Sequence, residues 1–559
     1  MRSGATTLER ELPTFSAMSR PLSSLRISRA RVALTMVAAL ALCAPVARAQ
    51  DAGSASRDAG ASEGTSRTVS ERSEPTRRRR PARRARRVTN ATPAITLRHT
   101  APRDATTLGR DLAFMLSSLT RSGAWGILVT SLTRGDTLYS YNPDVPLQPA
   151  STLKLYTAAL ALERLGANHR FSTRVLRTGT LDAEGTLRGD LVLRGGGDPA
   201  LSTRFLGGGA SAAVDLLAQL VAGAGVRRVR GDLIADASAF DAELVPAGWD
   251  SRYLQSGYAA RVSALSLNEN LVWVVVRPGA SGRAPLVYLD PASEIPFVNN
   301  VRTTAGRRDA RVIFISRPDG RVEARGWIGS RAGERRYQLV VEDPAAFTAG
   351  AFRRALAAKG IIVEGATRFG PTPVSAAPVT TLPSPPLADL LSVMNRESIN
   401  HYAELIFRNL AWTEKQPGSA EAANALLQRF LTEKVGAMPG SVSAADGSGL
   451  SVLDRSTARA LVHLLDYAHR APWADAFHAS LPVAGESELL RQRMRRTPAQ
   501  GNLHAKTGTT NSVISLGGYV TAENGELLAF AFIYNGTDRW NARVTIDAMG
   551  ATLAGFRRD

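Results

Sequence analysis

Ser151 and Lys154 are the residues whose types and spacing most directly indicate covalent chemistry. They are joined as Ser151-Thr-Leu-Lys154, the one Ser-x-x-Lys of the chain, where a Pro-containing loop enters an Ala/Leu-rich segment that ends at Gly166. Residues three positions apart share a helical face, so the hydroxyl and the amine are expected to meet. An amine whose pKa is lowered by burial can accept the proton of a serine. The pair is therefore predicted to be a nucleophile and its base.

The same four residues also fit a simpler interpretation, an N-cap serine followed by a solvated lysine. Composition weighs against it. The chain has 69 Lys and Arg residues, of which five are lysine: Lys154, Lys359, Lys415, Lys434 and Lys506. An arginine stays protonated and cannot act as a base. A lysine at this spacing is thus the residue type that the chemistry requires.

Two further motifs carry similar groups far along the chain. Ser398-Ile-Asn400 stands at the start of a predicted helix, and Lys506-Thr507-Gly508 at the end of a predicted strand. A glycine at a strand edge lets a ligand backbone approach. Each motif is weak alone, because Ser398 also fits an ordinary N-cap and Ser-x-Asn recurs in the chain. The ordered set, however, is the signature of penicillin-recognising serine acyl-transferases.

The pattern of helices and strands around the motifs predicts an α/β (α+β) fold. A helix over Ala105–Ser122 and a hairpin of Trp125–Leu132 with Thr137–Tyr141 precede Ser151, and short strands dominate from about 173 to 380. Proline-rich Pro371–Pro386 is predicted to be a connection. Beyond it are predicted helices around Leu387–Met394, Ile399–Trp412, Ala420–Lys434, Arg455–Ala468 and Glu486–Met494, strands over Leu503–Lys506, Val513–Thr521 and Leu527–Asn535, and a helix near Trp540–Leu553.

The first 49 residues have the pattern of a signal peptide. Arginines precede an apolar run, Val32 to Val46, and Ala47-Arg48-Ala49 follows as a cleavage site. The run of about 15 residues is shorter than a membrane span, which needs about 20; an uncleaved anchor is the alternative, and Met18 is a second candidate start. Cleavage would remove Cys43, so the mature chain is expected to rely on its core without disulfides.

Residues 50–101 are predicted to be a disordered, Arg-rich tail, because they hold almost no large apolar side chains. Residues 1–100 carry +12 of the total net charge of +20, which argues against nucleic acid as a partner of the remaining chain. The sequence has no Cys-rich or clustered-His pattern, so we expect neither a metal nor another cofactor.

On these motifs the chain resembles the D-alanyl-D-alanine carboxypeptidase/endopeptidase family of the penicillin-binding protein 4 type, the class C low-molecular-mass penicillin-binding proteins. In that family a large insertion separates the first two motifs, as the 247 positions from Ser151 to Ser398 do here. The resemblance covers about 105–559. It includes Gly231–Asp241, Ser263–Asn270, Asn395–Glu404, Asp446–Ser451 and Ala505–Thr509. Val452 stands where the family has an arginine.

The resemblance implies a serine β-lactamase/transpeptidase-like domain, a helical cluster with an antiparallel sheet, formed by 102–172 and 381–559 and interrupted by a β-rich insertion at 173–380. It implies that Ser151 attacks the penultimate D-Ala carbonyl of a peptidoglycan stem peptide while Lys154 accepts the proton. It also implies an exported protein of the periplasm or cell envelope, with β-lactams as ligands and no stable membrane span after cleavage.

The remaining site roles follow from the same resemblance. Ser398 relays the proton, Asn400 positions the substrate amide and Lys154, and Lys506 helps to lower the pKa of Lys154. Lys506 and Thr507 bind the terminal carboxylate beside Gly508, and the N–H groups of Ser151 and Thr509 form the oxyanion hole. Asp446 and Ser448 are interpreted as turn residues, Trp249 as core. Two alternatives remain at this point, a serine β-lactamase and a non-catalytic wall-binding or sensor protein.

Overall fold

The computed structural model describes residues 97–120, 122–317, 320–413 and 415–559. The predicted signal peptide and nearly all of the predicted tail lie outside these ranges. The described residues within Asn90–Asp559 form one compact unit of mixed α/β structure, as predicted. Within the described ranges, none of the helices has both the length and the apolar character that a membrane span needs, and the same residues include no group of three or more metal-ligating side chains placed to hold an ion.

Most of the helices begin and end close to the positions that their apolar periodicity predicts; the short helix Ala474–Ala479 was not predicted. They are α1 Ala105–Leu119, α2 Lys154–Leu165, α3 Ala212–Gly223, α4 Pro344–Ala358, α5 Leu387–Arg396, α6 Asn400–Ala411, α7 Ala420–Phe430, α8 Ala458–Arg470, α9 Ala474–Ala479 and α10 Arg539–Ala554. Side chains cap several starts as expected; the carboxylate of Asp104, for example, accepts a hydrogen bond from the N–H of Thr107 at 2.8 Å.

The strands divide by position into a set near the two ends of the described chain and a set between them. They are β1 Ala124–Ser131, β2 Thr137–Tyr141, β3 Ser172–Arg177, β4 Thr180–Leu181, β5 Thr186–Arg188, β6 Leu191–Arg194, β7 Arg228–Val229, β8 Leu233–Asp236, β9 Leu271–Arg277, β10 Leu286–Asp290, β11 Phe297–Thr304, β12 Ala310–Ser316, β13 Val322–Gly329, β14 Arg335–Val340, β15 Ile362–Val363, β16 Thr367–Phe369, β17 Ala377–Pro383, β18 Val442–Ser443, β19 Arg455–Ser456, β20 His504–Thr509, β21 Val513–Thr521 and β22 Leu527–Asn535.

The sheet that carries the site is antiparallel, with the order β2-β1-β22-β21-β20. Strand β1 pairs along its whole length with β22, from Ala124 opposite Asn535 to Ser131 opposite Leu528. Strands β21 and β22 are buried on both faces because helices cover the sheet on each side: α10 packs on β21 and α8 on β22. The site therefore rests on a rigid sheet closed by segments from both ends of the described chain.

The strands between the two parts form separate sheets. They are ordered β16-β8-β6-β3-β17, β15-β7-β5-β4, β10-β9-β14 and β11-β13-β12. All but β10-β9-β14 contain parallel pairs. Helices α3 and α4 pack against each other beside them, around a core of aliphatic side chains. We propose that residues 173–380 form the insertion and 102–172 with 381–559 the interrupted domain.

Two local predictions were wrong. The proline-rich segment contains β17, which pairs with β3 at the edge of its sheet; an edge strand tolerates Pro378 and Pro383 because one side of it needs no ladder hydrogen bonds. The predicted helix over Glu486–Met494 is reduced to a single 3-10 turn, Glu488–Leu490. Glu488 and Met494 have φ values of 37° and 54°, which a right-handed helix cannot accommodate.

Candidate active site

The three sequence motifs converge on one place. Lys154 Nζ lies 3.1 Å from Ser151 Oγ and 2.6 Å from Asn400 Oδ1. Lys506 Nζ lies 2.8 Å from Ser398 Oγ. The site thus contains two hydrogen-bonded pairs of one hydroxyl and one amine each. Ser151 and Lys154 form the first pair, which Asn400 also contacts, and Ser398 and Lys506 form the second.

Ser151 lies in a tight turn and not in the helix itself. Residues Ala150–Leu153 form a 3-10 turn, and α2 begins at Lys154. The carbonyl of Pro149, at the entry of this turn, accepts hydrogen bonds from Thr152 Oγ1 and from Ser515 Oγ on β21, both at 2.7 Å. Ala150 has φ 48°, in the left-handed region. The turn is fixed to the sheet, so the serine hydroxyl has a defined position.

Lys154 is fully buried and its three N–H donors have three acceptors. Besides Ser151 Oγ and Asn400 Oδ1, the acceptor is the carbonyl of Ser448 at 2.7 Å. The amide of Asn400 is oriented by its Nδ2, which donates to the carbonyl of Tyr258 at 2.8 Å. Of the three acceptor groups, only the hydroxyl of Ser151 can also donate a hydrogen bond. Loss of a proton from Lys154 would therefore reverse that one bond and leave the serine as the donor.

The pKa of Lys154 is lowered to about 8, chiefly because burial disfavours the ammonium; the carboxyl groups of Asp446, Glu404 and Asp454 act in the opposite direction. Burial also holds the pKa of Lys506 well below its usual range, and the charge of Lys154 lowers it further. Burial is thus the main cause of the lowered pKa at both lysines, and the predicted effect of Lys506 on Lys154 stays a prediction. A base with a pKa of about 8 is partly neutral near neutral pH.

The loop from Asp446 to Ser451 lies beside Lys154 and is organised by a buried carboxylate. Asp446 accepts hydrogen bonds from the indole N–H of Trp249, from the side chain of Ser448, and from the backbone N–H groups of Ser448, Gly449, Leu450 and Ser451, at 2.6 to 3.2 Å. The predicted turn role of Asp446 and Ser448 and the predicted burial of Trp249 describe this loop correctly. The contact of the Ser448 carbonyl with Lys154 was not anticipated.

Ser398 is not the N-cap of the next helix, as one interpretation of the sequence had it. Its φ is 60°, Ile399 is the capping residue, and α6 begins at Asn400. The left-handed backbone at Ser398 separates its hydroxyl from the helix, where it accepts the hydrogen bond of Lys506. Such strain at a non-glycine residue is frequent at functional sites.

Lys506 is the third of the six residues of β20, so the motif occupies the third to fifth positions and lies within the strand, not at its end. Strand β20 is the edge of the sheet. The ligand-access role predicted for Gly508 stays a prediction, and the structure adds a packing role: a Cβ there would overlap Ser515 Oγ and lie 2.7 Å from the carbonyl of Pro149. The glycine is required for packing the strand against the turn that carries Ser151. Thr507 is buried and Thr509 is exposed, and their predicted substrate contacts stay predictions.

Sequence reasoning missed two acidic residues near Lys154. Glu404 and Asp454 are fully buried, and Glu404 lies four positions after Asn400 on α6, a spacing that places both on one face. That spacing was the available signal. The neighbouring histidine, His401, is also buried; its Nε2 lies 3.0 Å from the amide of Asn270, and burial lowers its pKa to about 3, so it is neutral and outside the reacting set.

Comparison with known proteins adds an independent observation to this geometry. The family model described as the D-Ala-D-Ala carboxypeptidase 3 (S13) family matches residues 111–555. A D-alanyl-D-alanine carboxypeptidase of Actinomadura sp. (strain R39) is 34% identical over 468 residues, which cover 81% of this chain and 85% of that protein. The D-alanyl-D-alanine carboxypeptidase DacB of Haemophilus influenzae is 26% identical over 431 residues, which cover 74% of this chain and 85% of that protein.

A solved structure extends the likeness to the fold. The crystal structure of penicillin-binding protein 4 (dacB) from Haemophilus influenzae superposes with a TM-score of 0.66 at 24% identity, covering 76% of this chain and 93% of that one. The predicted family resemblance is confirmed, because the matched family model spans most of the sequence, including all three motifs. The chain belongs to the D-Ala-D-Ala carboxypeptidase 3 (S13) family.

Proposed function

We propose that this chain is a serine-type D-Ala-D-Ala carboxypeptidase that acts on peptidoglycan stem peptides through an acyl-enzyme on Ser151. The observation that carries the proposal is the contact of Lys154 Nζ with Ser151 Oγ, inside a buried site where the amine has a lowered pKa. Membership of the S13 family and the relatives named carboxypeptidases support it.

Acylation would begin when Ser151 Oγ attacks the carbonyl of the penultimate D-Ala and its proton passes to Lys154. The backbone N–H groups of Ser151 and Thr509 would hold the resulting oxyanion, a contribution of roughly 3 kcal/mol per donor. As the C–N bond breaks, Ser398 would relay the proton to the leaving amine of the terminal D-Ala. Water would then hydrolyse the ester and restore Ser151.

Substrate recognition would depend on the second hydrogen-bonded pair, that of Lys506 and Ser398. Lys506, with Thr507 at its side on β20, would bind the terminal carboxylate, while Asn400 orients the peptide amide and Lys154. An extended peptide lying along the exposed edge of β20 would present its scissile bond to Ser151, because the Pro149 carbonyl fixes the serine turn against β21. A peptide crosslink with similar geometry would fit the same place, which makes endopeptidase activity the companion proposal.

β-Lactams would acylate Ser151 by the same route. A structure of the Haemophilus influenzae penicillin-binding protein 4 is described as complexed with a novel β-lactam. The apolar run and cleavage motif at residues 32–49 support the proposal that the enzyme is exported and acts in the periplasm or cell envelope.

The test is to incubate the purified protein with a pentapeptide ending in D-Ala-D-Ala and with crosslinked muropeptides, and to separate the products by mass. Release of D-Ala supports a carboxypeptidase, and cleavage of the crosslink an endopeptidase. Ser151→Ala should abolish both. Continuous nitrocefin turnover would instead favour a β-lactamase, whereas a single burst supports the proposal. A wild-type protein that neither cleaves nor is acylated would be the non-catalytic wall-binding protein.

A further inference from the structure

Glu404 is a buried carboxyl group that the steps above do not use. It lies one helical turn after Asn400 on α6, and no part of it reaches solvent. Both of its oxygens face the backbone N–H of Gly447, at 3.1 and 3.2 Å. Helix α6 therefore reaches the surroundings of Lys154 twice, directly through Asn400 and through the Asp446–Ser451 loop by way of Glu404.

The segment that Glu404 holds lies along the helix of the base. The carbonyl of Gly447 accepts a hydrogen bond from Thr157 Oγ1 at 2.7 Å, and the next carbonyl, that of Ser448, accepts one from Lys154 Nζ at 2.7 Å. Thr157 follows Lys154 by three positions on α2, so two successive carbonyls contact one face of that helix.

Little space separates this segment from α6. A Cβ at Gly447 would lie 2.5 Å from the Cβ of Phe407 and 2.7 Å from the carbonyl of Ala403. The loop is thus clamped between two helices. The peptide group of the Ser448 carbonyl donates its own N–H, that of Gly449, to Asp446 at 2.6 Å, and Glu404 holds the loop one residue earlier, at Gly447.

We propose that Glu404 is a positioning residue for Lys154: it anchors the loop whose Ser448 carbonyl orients the amine, and its negative charge favours the protonated form of the base. The inference deepens the proposed function and rests on it. Glu404 sets where Lys154 points and at which pH it becomes a base, without touching substrate.

The charges around the two groups support this role. Burial, with the nearby Asp446 carboxylate, raises the pKa of Glu404 to about 8, close to that of Lys154. The other charged groups that face them are Asp446 from the loop, Asp454 three residues after its end, Arg408 from α6 and Lys506 from β20. Groups with similar pKa values titrate together. When the pair loses its first proton from Glu404, Lys154 remains an ammonium and cannot accept the proton of Ser151.

Two substitutions separate the two parts of the role. Glu404→Gln keeps an oxygen at the same reach toward Gly447 and removes the charge. The acylation rate with a fluorescent penicillin, followed from pH 6 to 9, should then reach half of its plateau about one pH unit lower than in the wild type. Glu404→Asp keeps the charge and shortens the reach by one methylene; it should lower the plateau rate about tenfold without moving the midpoint to lower pH.

Glu163→Gln is the matched control. Glu163 is also on α2, but it accepts hydrogen bonds from Tyr467 and Trp473 and lies about 13 Å further along the helix axis than Lys154. Its substitution should leave the pH midpoint unchanged.

The protonation of Lys154 is also directly measurable, because the chain has five lysines and lysine-labelled protein gives correspondingly few NMR signals. The signal of Lys154, assigned by its loss in Lys154→Arg, should titrate about one unit lower in Glu404→Gln than in the wild type. The same midpoint in both proteins would overturn the inference. Failure of the wild type to be acylated would instead refute the proposed function, so the two failures are distinguishable.

Discussion

Oδ1 of Asn400 lies 2.6 Å from Nζ of Lys154, although 246 positions separate the two residues. The contact is fixed from the other side as well, since Nδ2 of Asn400 donates to the carbonyl of Tyr258. Tyr258 belongs to the region that we propose as an insertion. Three distant parts of the chain therefore determine how the base is held, and each can be tested separately.

Asn400→Asp should slow acylation near neutral pH. The new carboxylate would sit against the Lys154 ammonium, raise its pKa and reduce the fraction of free base. It would also lose the hydrogen bond to Tyr258. We expect a fall of about tenfold or more in the acylation rate at pH 7, with partial recovery as the pH is raised above 8. Stopped-flow measurements with a fluorescent penicillin give this rate.

Asn409→Asp is the control for that substitution. Asn409 is on the same helix, and its side chain donates to the carbonyls of Gly197 and Leu405 and to no residue of the three motifs. Its substitution should leave the pH dependence of acylation as in the wild type. An Asn400→Asp profile that superimposes on the wild-type profile would contradict the role given to Asn400.

The pH dependence of the wild-type enzyme should follow Lys154. Its pKa in the folded protein is lowered to about 8, and the neutral amine is the active form. The acylation rate should rise about tenfold per pH unit well below pH 8 and level off above it. A rate that falls as the pH rises from 6 to 8 would mean that the ammonium form is the active one.

Gly508→Ala should destabilise the protein and impair acylation together. The added methyl group would overlap Ser515 Oγ and press on the Pro149 carbonyl, so β20 and the Ser151 turn must move apart. Overpacking of this kind costs about 1–3 kcal/mol of the free energy of unfolding. Thermal unfolding and penicillin acylation of one preparation measure both effects.

Gly370→Ala provides the comparison, because a Cβ at Gly370 has no atom within 4 Å. It should change neither the melting temperature by more than about a degree nor the acylation rate. If Gly508→Ala also left the melting temperature and the acylation rate unchanged, the packing role given to Gly508 would be wrong.

Much of this site was predictable because the side chains that form it belong to short sequence motifs. The spacing of Ser151 and Lys154 predicted their contact, and periodicity predicted the strands that hold Lys506. The surroundings of Lys154 were not predictable in the same way. The Ser448 carbonyl is a backbone group, which every residue possesses, so no residue type marks it in a sequence.

Other features that the sequence did not indicate have a similar origin. The packing role of Gly508 was not predictable because a sequence does not reveal that Ser515 and Pro149 press against it. The predicted helix at Glu486–Met494 failed because the positive φ angles of Glu488 and Met494 are imposed by tertiary contacts, which propensity does not record.

Lys506→Ala should impair peptides with a free C-terminus more than peptides without one. If the ammonium binds the terminal carboxylate, its loss should lower kcat/KM for a D-Ala-D-Ala peptide by about a hundredfold, within the range expected for a charged hydrogen bond. The same peptide as its C-terminal amide lacks the carboxylate and should lose far less. Equal losses for the two peptides would show that Lys506 acts elsewhere in the reaction.

The roles of Ser151 as nucleophile and Lys154 as its base can be tested by mass spectrometry of the intact protein after incubation with benzylpenicillin, followed by peptide mapping of the adduct. We predict one adduct per chain, on the peptide that contains Ser151, absent in Ser151→Ala and formed at least a thousandfold more slowly in Lys154→Met, as expected when a base is removed. An adduct on another residue, or undiminished acylation of Ser151→Ala, would contradict the account.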